Sequence, residues 1–309
     1  MENVSTCGIC GESDAVTLAR PYDLYSGERF TIIACRACGL GRLSPRPTPS
    51  EIGRYYHADY FPFTRTRGLL HRLQTMQWRA TARLLARHAR VNGPVLEFGC
   101  GTGDILNLVQ RATNRDAHGL DFSATAVTEA KARYPHLDIR ESSGADCSMT
   151  GHSPAGSGFS LIYMRHVIEH LYAPSQVIRE IAAKLAPGGR LVIFTPDASS
   201  LEARLFGRYW HFDVPRHLWF FNRHHINQIL EGTGVQIRHI RYEYNPLNWI
   251  WGLRQFAFVN FANKFIMSFL HPHNIVLIMF FFPINALLCC LGKSGRMMIV
   301  AEKGGLEHA

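Results

Sequence analysis

The sequence predicts an α/β fold: a doubly wound, Rossmann-like sheet of seven strands, preceded by a small cysteine-paired ribbon and carrying an apolar helical insert before its last strand. Three observations carry that reading. Residues 94–197 alternate short β-branched or aromatic runs with helical patterns, as parallel strands joined by crossover helices do. The first run ends in a loop of alternating glycines, Gly99, Gly101 and Gly103, which lets the backbone turn sharply and approach a ligand closely. Near the N-terminus stand two C-x-x-C pairs.

Length and charge bound the rest. A chain of 309 residues suits one large domain plus something small. We divide it into a ribbon (1–45), a linker with helices (46–92), the sheet core (93–246), the apolar insert (247–292), and a last strand with its tail (293–309). Lys and Arg number 33 against 24 Asp and Glu, and the net charge of +9 admits nucleic acid, anionic membrane or phosphorylated molecules without choosing among them. Residues 1–20 hold no apolar stretch behind a basic start, so the chain is expected to begin in the cytoplasm with reduced thiols.

Cys7, Cys10, Cys35 and Cys38 form the two pairs, each closed by a following glycine. Four thiolates in two tight turns make the tetrahedral site of a structural zinc, with no open position for catalysis. Residues 29–34 read as a strand delivering the second turn. Three prolines in 44–50 exclude a helix there, a short helix from 50 leads into an aromatic patch at 55–61, and 69–90 is an amphipathic helix with a basic face.

The core follows in order. Strand 95–98 and helix 104–112 flank the glycine loop, 117–121 is the second strand, and Ser123 caps a helix reaching 133. A weak strand at 137–140 precedes a polar loop at 150–158. Strand 159–164, a helix over 174–186 closed by Pro-Gly-Gly, and strand 190–195 come next. A helix at 222–234 leads to strand 235–242, and 296–301 reads as the last strand.

The loop discriminates between ligands. A dinucleotide fingerprint reads G-x-G-x-x-G, whereas these glycines run G-x-G-x-G and Asp104 stands where that fingerprint has Gly. Glu97, two positions before Gly99, would repel a pyrophosphate but suits an ammonium group, held directly or through water. Asp121 closes the second strand, where a carboxylate accepts both hydroxyls of a ribose. Asp146, after the third strand, is a candidate for an adenine amino group.

The pattern E-x-G-x-G-x-G resembles motif I of class I S-adenosylmethionine (SAM) methyltransferases, and RHVIEHL, helix, LAPGGRLVIFTP resembles the region that follows it there. Adding the cysteine ribbon, Y-Y-x-x-x-Y-F and WHFDVPRHLWFF, the chain is similar to bacterial methyltransferases encoded among genes for surface-polysaccharide and secondary-metabolite synthesis. The resemblance implies SAM as cofactor, no catalytic metal, cofactor binding through Glu97, Gly99, Gly101 and Asp121, and a last strand antiparallel to 235–242; we add Gly103 of the same loop to the cofactor site. It leaves the acceptor open.

Residues 200–223 follow the fifth strand and hold Tyr209, Trp210, His211, Asp213, Arg216, His217 and Trp219, the expected acceptor pocket. Methyl transfer to a hydroxyl requires alignment and removal of a proton. His166, His170 and His217 are the candidate bases, since a histidine accepts a proton near neutral pH. The expected acceptor is a small or lipid-linked amphiphile, a saccharide or secondary metabolite. Nucleic acid is the rival substrate, but Arg165-His-Val-Ile stands where such methyltransferases carry Asp/Asn-Pro-Pro-aromatic. A SAM-binding module without turnover is the other alternative.

The insert at 247–291 is strongly apolar and aromatic, and its second half, 275–291, is at the lower limit for a membrane span. Strands on both sides belong to one sheet, which excludes a single crossing. A re-entrant helix pair, an in-plane anchor and a homodimer interface remain. We expect the anchor, with Arg254 and Lys264 meeting headgroups and the protein peripheral on the inner face of the membrane.

Overall fold

The computed structural model describes residues 1–56, 68–142, 158–261 and 263–305. The elements in chain order begin with β1 (Ala15–Ala19), β2 (Ile32–Cys35) and β3 (Gly41–Leu43). Next come α1 (Gly68–Ala86), β4 (Val95–Phe98), α2 (Asp104–Thr113), β5 (Ala117–Asp121), α3 (Ala124–Arg133) and β6 (Asp138–Glu141). β7 (Phe159–Arg165), α4 (Pro174–Lys184), β8 (Leu185–Pro196), α5 (Leu201–Phe206) and β9 (Trp219–Phe220) follow. The chain continues through α6 (Arg223–Leu230), β10 (Val235–Tyr242), α7 (Leu247–Asn260), α8 (Lys264–Phe269), α9 (Ile275–Cys290) and β11 (Arg296–Lys303).

The chain forms two compact units. One comprises Met1–His57, Thr195–Gln228 and Ile240–Met298, the other Ala58–Phe194, Ile229–His239 and Ile299–Ala309. In the first, β1, β2 and β3 pair antiparallel, and β9 adds a fourth strand through Gly41 opposite Phe220. Neither β1 nor β9 was expected. Two residues of strand leave no periodicity to read, so β9 exists only through its partner.

The seven-stranded sheet has the order β10-β11-β8-β7-β4-β5-β6, with β4 parallel to both β5 and β7. Successive strands depart from β4 in one direction and from β7 in the other, so the strand order reverses between them. A crevice at the carboxyl ends of such strands is where ligands sit in open α/β sheets. Burial explains the apolar runs: all four residues of β4 and the first six of β7 are buried. At the far edge, Glu243 N–H donates to Arg296 O at 3.0 Å and Gly304 N–H to Gly234 O at 2.9 Å. Residues paired in opposite order make β10 and β11 antiparallel, as expected.

One boundary moved. The Pro-Gly-Gly read as a helix-closing loop lies inside β8, where the pairing with β7 slips between Phe159 and Leu161. A Cβ on Gly189 would stand 2.7 Å from Phe159 O, so the irregular pairing requires glycine there.

Candidate functional site

All three loop glycines adopt positive φ, +80° at Gly99, +51° at Gly101 and +75° at Gly103. Their surroundings differ. A Cβ at Gly99 would lie 2.4 Å from Val167 Cγ2, whereas one at Gly101 would meet nothing within 4 Å. Gly99 is therefore fixed by packing, and Gly101 presents open backbone. Thr102 Oγ1 and Tyr134 Oη both donate to Asp104, at 2.6 and 2.8 Å, and hold the start of α2.

Asp121 is buried at the end of β5. Its Oδ2 accepts the Gly101 N–H at 2.7 Å and its Oδ1 the Ser123 N–H at 2.9 Å. Burial raises its pKa, and the amides of Ser123 and Gly101 oppose that rise. Ser123 Oγ caps α3 by accepting the Ala126 N–H, which leaves Asp121 to the loop. The next side chain, Phe122, is 54% exposed.

Glu97 is 3% exposed and receives the Tyr163 hydroxyl at 3.1 Å. Burial pushes its pKa up to about 8, only partly offset by the positive charge of Arg165 and by Tyr163. Parallel pairing sets Phe98 opposite Met164, so Arg165 is level with Gly99. Arg165 Nε is buried and has no hydrogen-bond partner among the described residues.

His166 follows with φ +55°, a left-handed conformation uncommon outside glycine. Its N–H donates to Phe194 O at 2.9 Å, and its Nδ1 lies 3.3 Å from Glu169 Oε1 on a buried carboxylate. His170 closes the short turn Ile168–His170. Asp146 lies outside the described residues.

The four cysteine sulfurs of the other unit lie within 4.8 Å of one another. Cys7 and Cys38 are 3.5 Å apart, Cys10 and Cys35 3.5 Å, Cys10 and Cys38 3.7 Å. Tetrahedral zinc with bonds of about 2.3 Å needs sulfurs about 3.8 Å apart, so the set fits the metal. Gly11 and Gly39, at φ +73° and +77°, turn the chain after each pair. His225 Nε2 lies 3.0 Å from Cys38 O, which ties α6 to the second pair.

The residues expected to line an acceptor pocket are used differently. Arg216 is buried, donating from Nε to Asp213 Oδ1 at 2.9 Å, from Nη1 to Tyr55 O at 2.9 Å and from Nη2 to Asp23 Oδ1 at 2.8 Å. Trp219 belongs to β9, beside the ribbon residue Gly8. His211 stacks on Trp251, with ring centroids 4.6 Å apart, and burial lowers its pKa to about 4. Asp213 has φ +50°, and its Oδ2 lies 3.6 Å from His217 Nε2. Arg216 and Trp219 thus serve the structure, while His217 keeps a carboxylate neighbour.

A family model described as a methyltransferase domain matches residues 69–240, more than half of the chain. The chain belongs to the methyltransferase-domain family. A relative from Mycolicibacterium smegmatis, named a probable S-adenosylmethionine-dependent methyltransferase, is 29% identical over 153 residues, covering 48% of this chain and 54% of its own. The 27-O-demethylrifamycin SV methyltransferase of Amycolatopsis mediterranei is 27% identical over 175 residues, covering 51% and 64%. The chain thus spans about half the length of the first curated relatives it matches. Among solved structures, the cyclase SpnF has a TM-score of 0.50 at 19% identity, covering 74% of this chain and 81% of its own, a likeness that shows the fold alone.

Neither Phe122, next to Asp121, nor Arg165, level with Gly99, was among the expected cofactor residues. Each had a signal. Phe122 is a large apolar residue just past a strand end, and Arg165 opens the RHVIEH stretch ahead of both histidines.

Proposed function

We propose that the chain is a SAM-dependent methyltransferase acting on an amphiphilic acceptor, a saccharide or secondary metabolite, at a hydroxyl. The observation that carries this is the open backbone at Gly101 beside a carboxylate, an exposed aromatic and a guanidinium whose buried Nε has no hydrogen-bond partner among the described residues. Such a set matches a ligand with a ribose, a base and an amino-acid tail. SAM, when bound, supplies an electrophilic methyl group on a sulfonium.

The chain's own residues do the rest. Asp121 keeps a lone pair for the ribose hydroxyls beyond the amides it already accepts. Phe122 offers a face to the adenine, and Arg165 pairs with the tail carboxylate. Glu97, almost closed from solvent, acts from beneath the loop on the ammonium end. His166, turned by its left-handed backbone and held by Glu169, takes the acceptor's proton. The cysteine set holds structural zinc.

Calorimetry with SAM tests the assignment on wild type, Gly101→Val and Asp121→Ala, with zinc measured in the same preparations. A side chain at Gly101 fills the open face, and loss of Asp121 removes the ribose acceptor. Each is expected to weaken SAM at least roughly tenfold, since a lost hydrogen bond to a charged group costs about 1.5–3 kcal/mol. Unchanged affinity in both would remove the cofactor assignment. Labelled methyl recovered in nucleic acid instead of lipid or glycan fractions would overturn the acceptor class.

A further inference from the structure

Among the described residues no helix is long and apolar enough to cross a membrane, yet α8 and α9 expose large apolar side chains. Phe265 is 80% exposed, Met279 67% and Val276 66%. On a helical wheel of 100° per residue, the exposed positions of α9 run from Phe282 through Ile275 and Met279 to Ile284, an arc of about 200°. Only a narrow seam, Phe281, Asn285 and Leu288, is buried.

Asn285 fixes that seam. Its Oδ1 accepts the Asn245 N–H at 2.7 Å, and its Nδ2 donates to Glu202 and to Ser294 Oγ, each at 3.3 Å. The polar side of α9 is thus committed to the protein and the rest faces outward. Charge completes the pattern: from Tyr244 to Ala301 the sequence contains no Asp or Glu, and exposed Lys264 and Lys293 bracket the apolar stretch. Arg254 is not among the outward cations. Its Nη1 donates to Met267 O and Leu270 O at the end of α8, which corrects the expectation that it meets headgroups.

We propose that α8 and α9 lie in the interface of an anionic bilayer, apolar arc in the acyl boundary and the bracketing lysines at the headgroups. Contiguous exposed apolar faces mark interaction surfaces, and a lipid surface solvates a wide arc where a partner helix would cover a narrower one. A second copy meets a further obstacle. A two-fold contact would juxtapose cationic segments that carry no carboxylate to pair with them.

The test is sedimentation of the full chain with phosphatidylcholine vesicles, with and without phosphatidylglycerol. Neither readout uses SAM, so its outcome is separate from that of the cofactor assignment. Wild type is expected to sediment with the anionic vesicles and less with the neutral ones. Met279→Glu/Leu287→Glu, both solvent-facing, should weaken binding at least roughly tenfold while the circular-dichroism melt is retained. Lys264→Glu/Lys293→Glu, which alters no packing, should remove the preference for anionic lipid. Wild type left in the supernatant with both vesicle types, or sedimenting equally with the first variant, overturns the proposal. A stable dimer in velocity ultracentrifugation that the first variant dissolves assigns the surface to a second copy instead.

Discussion

Two buried charge clusters, one in each unit, are built from the same residue types and end in opposite states. Around Arg216 the accounts close: two carboxylates and a carbonyl take its donors within 2.9 Å. Around Glu97 they do not, because burial raises that carboxyl to about 8 and Arg165 Nε lacks a partner among the described residues. A satisfied cluster is at its resting energy, and any change to it costs stability. An incompletely satisfied one holds interaction free energy in reserve for a ligand.

The sharpest way to break this comparison is Arg216→Met. It would leave Asp23 and Asp213 buried without their cation, and the expected loss is about 3–5 kcal/mol, read by urea unfolding. A loss below about 1 kcal/mol would show that the network is not the support described.

Glu97 should respond to pH in the opposite sense to a paired carboxylate. Its folded pKa, about 8, lies above the ordinary value of 4.5. Its contribution to stability is therefore full below pH 4.5, is lost as pH rises toward 8, and stays lost above. The decline is at most about 5 kcal/mol. Urea midpoints of wild type and Glu97→Gln across that range should diverge in acid and run parallel above pH 8. Parallel curves throughout would mean that Glu97 titrates normally.

The smallest effect on stability belongs to Arg165→Gln, within about 1 kcal/mol because its buried Nε has no hydrogen bond to lose, while SAM should weaken by about 1.5–3 kcal/mol. Stability lost without any change in SAM affinity would place Arg165 with Arg216 rather than with the site.

The contrast also marks what was legible in the sequence. Strand, loop and cap around Gly99 to Ser123 depend on neighbours a few positions apart, so glycine spacing and an N-cap serine sufficed. Arg216 and Asp23 are 193 positions apart, and nothing local says that they meet. Arg254 was misjudged for the same reason. Its partners are backbone carbonyls at the end of another helix, which composition does not announce. Phe122 and Arg165 were legible by place, past one strand end and at another, but neither side chain carries a spacing that names its ligand.

The pairing of β3 with β9 has a bearing on biosynthesis. The outer edge of the cysteine ribbon stays open until Trp219 and Phe220 have left the ribosome, long after the four thiolates could have captured metal. An uncovered strand edge invites pairing with other chains. During synthesis the ribbon is a nascent liability that closes only once Trp219 and Phe220 are available to it, and a fragment cut at residue 45 would carry that edge permanently.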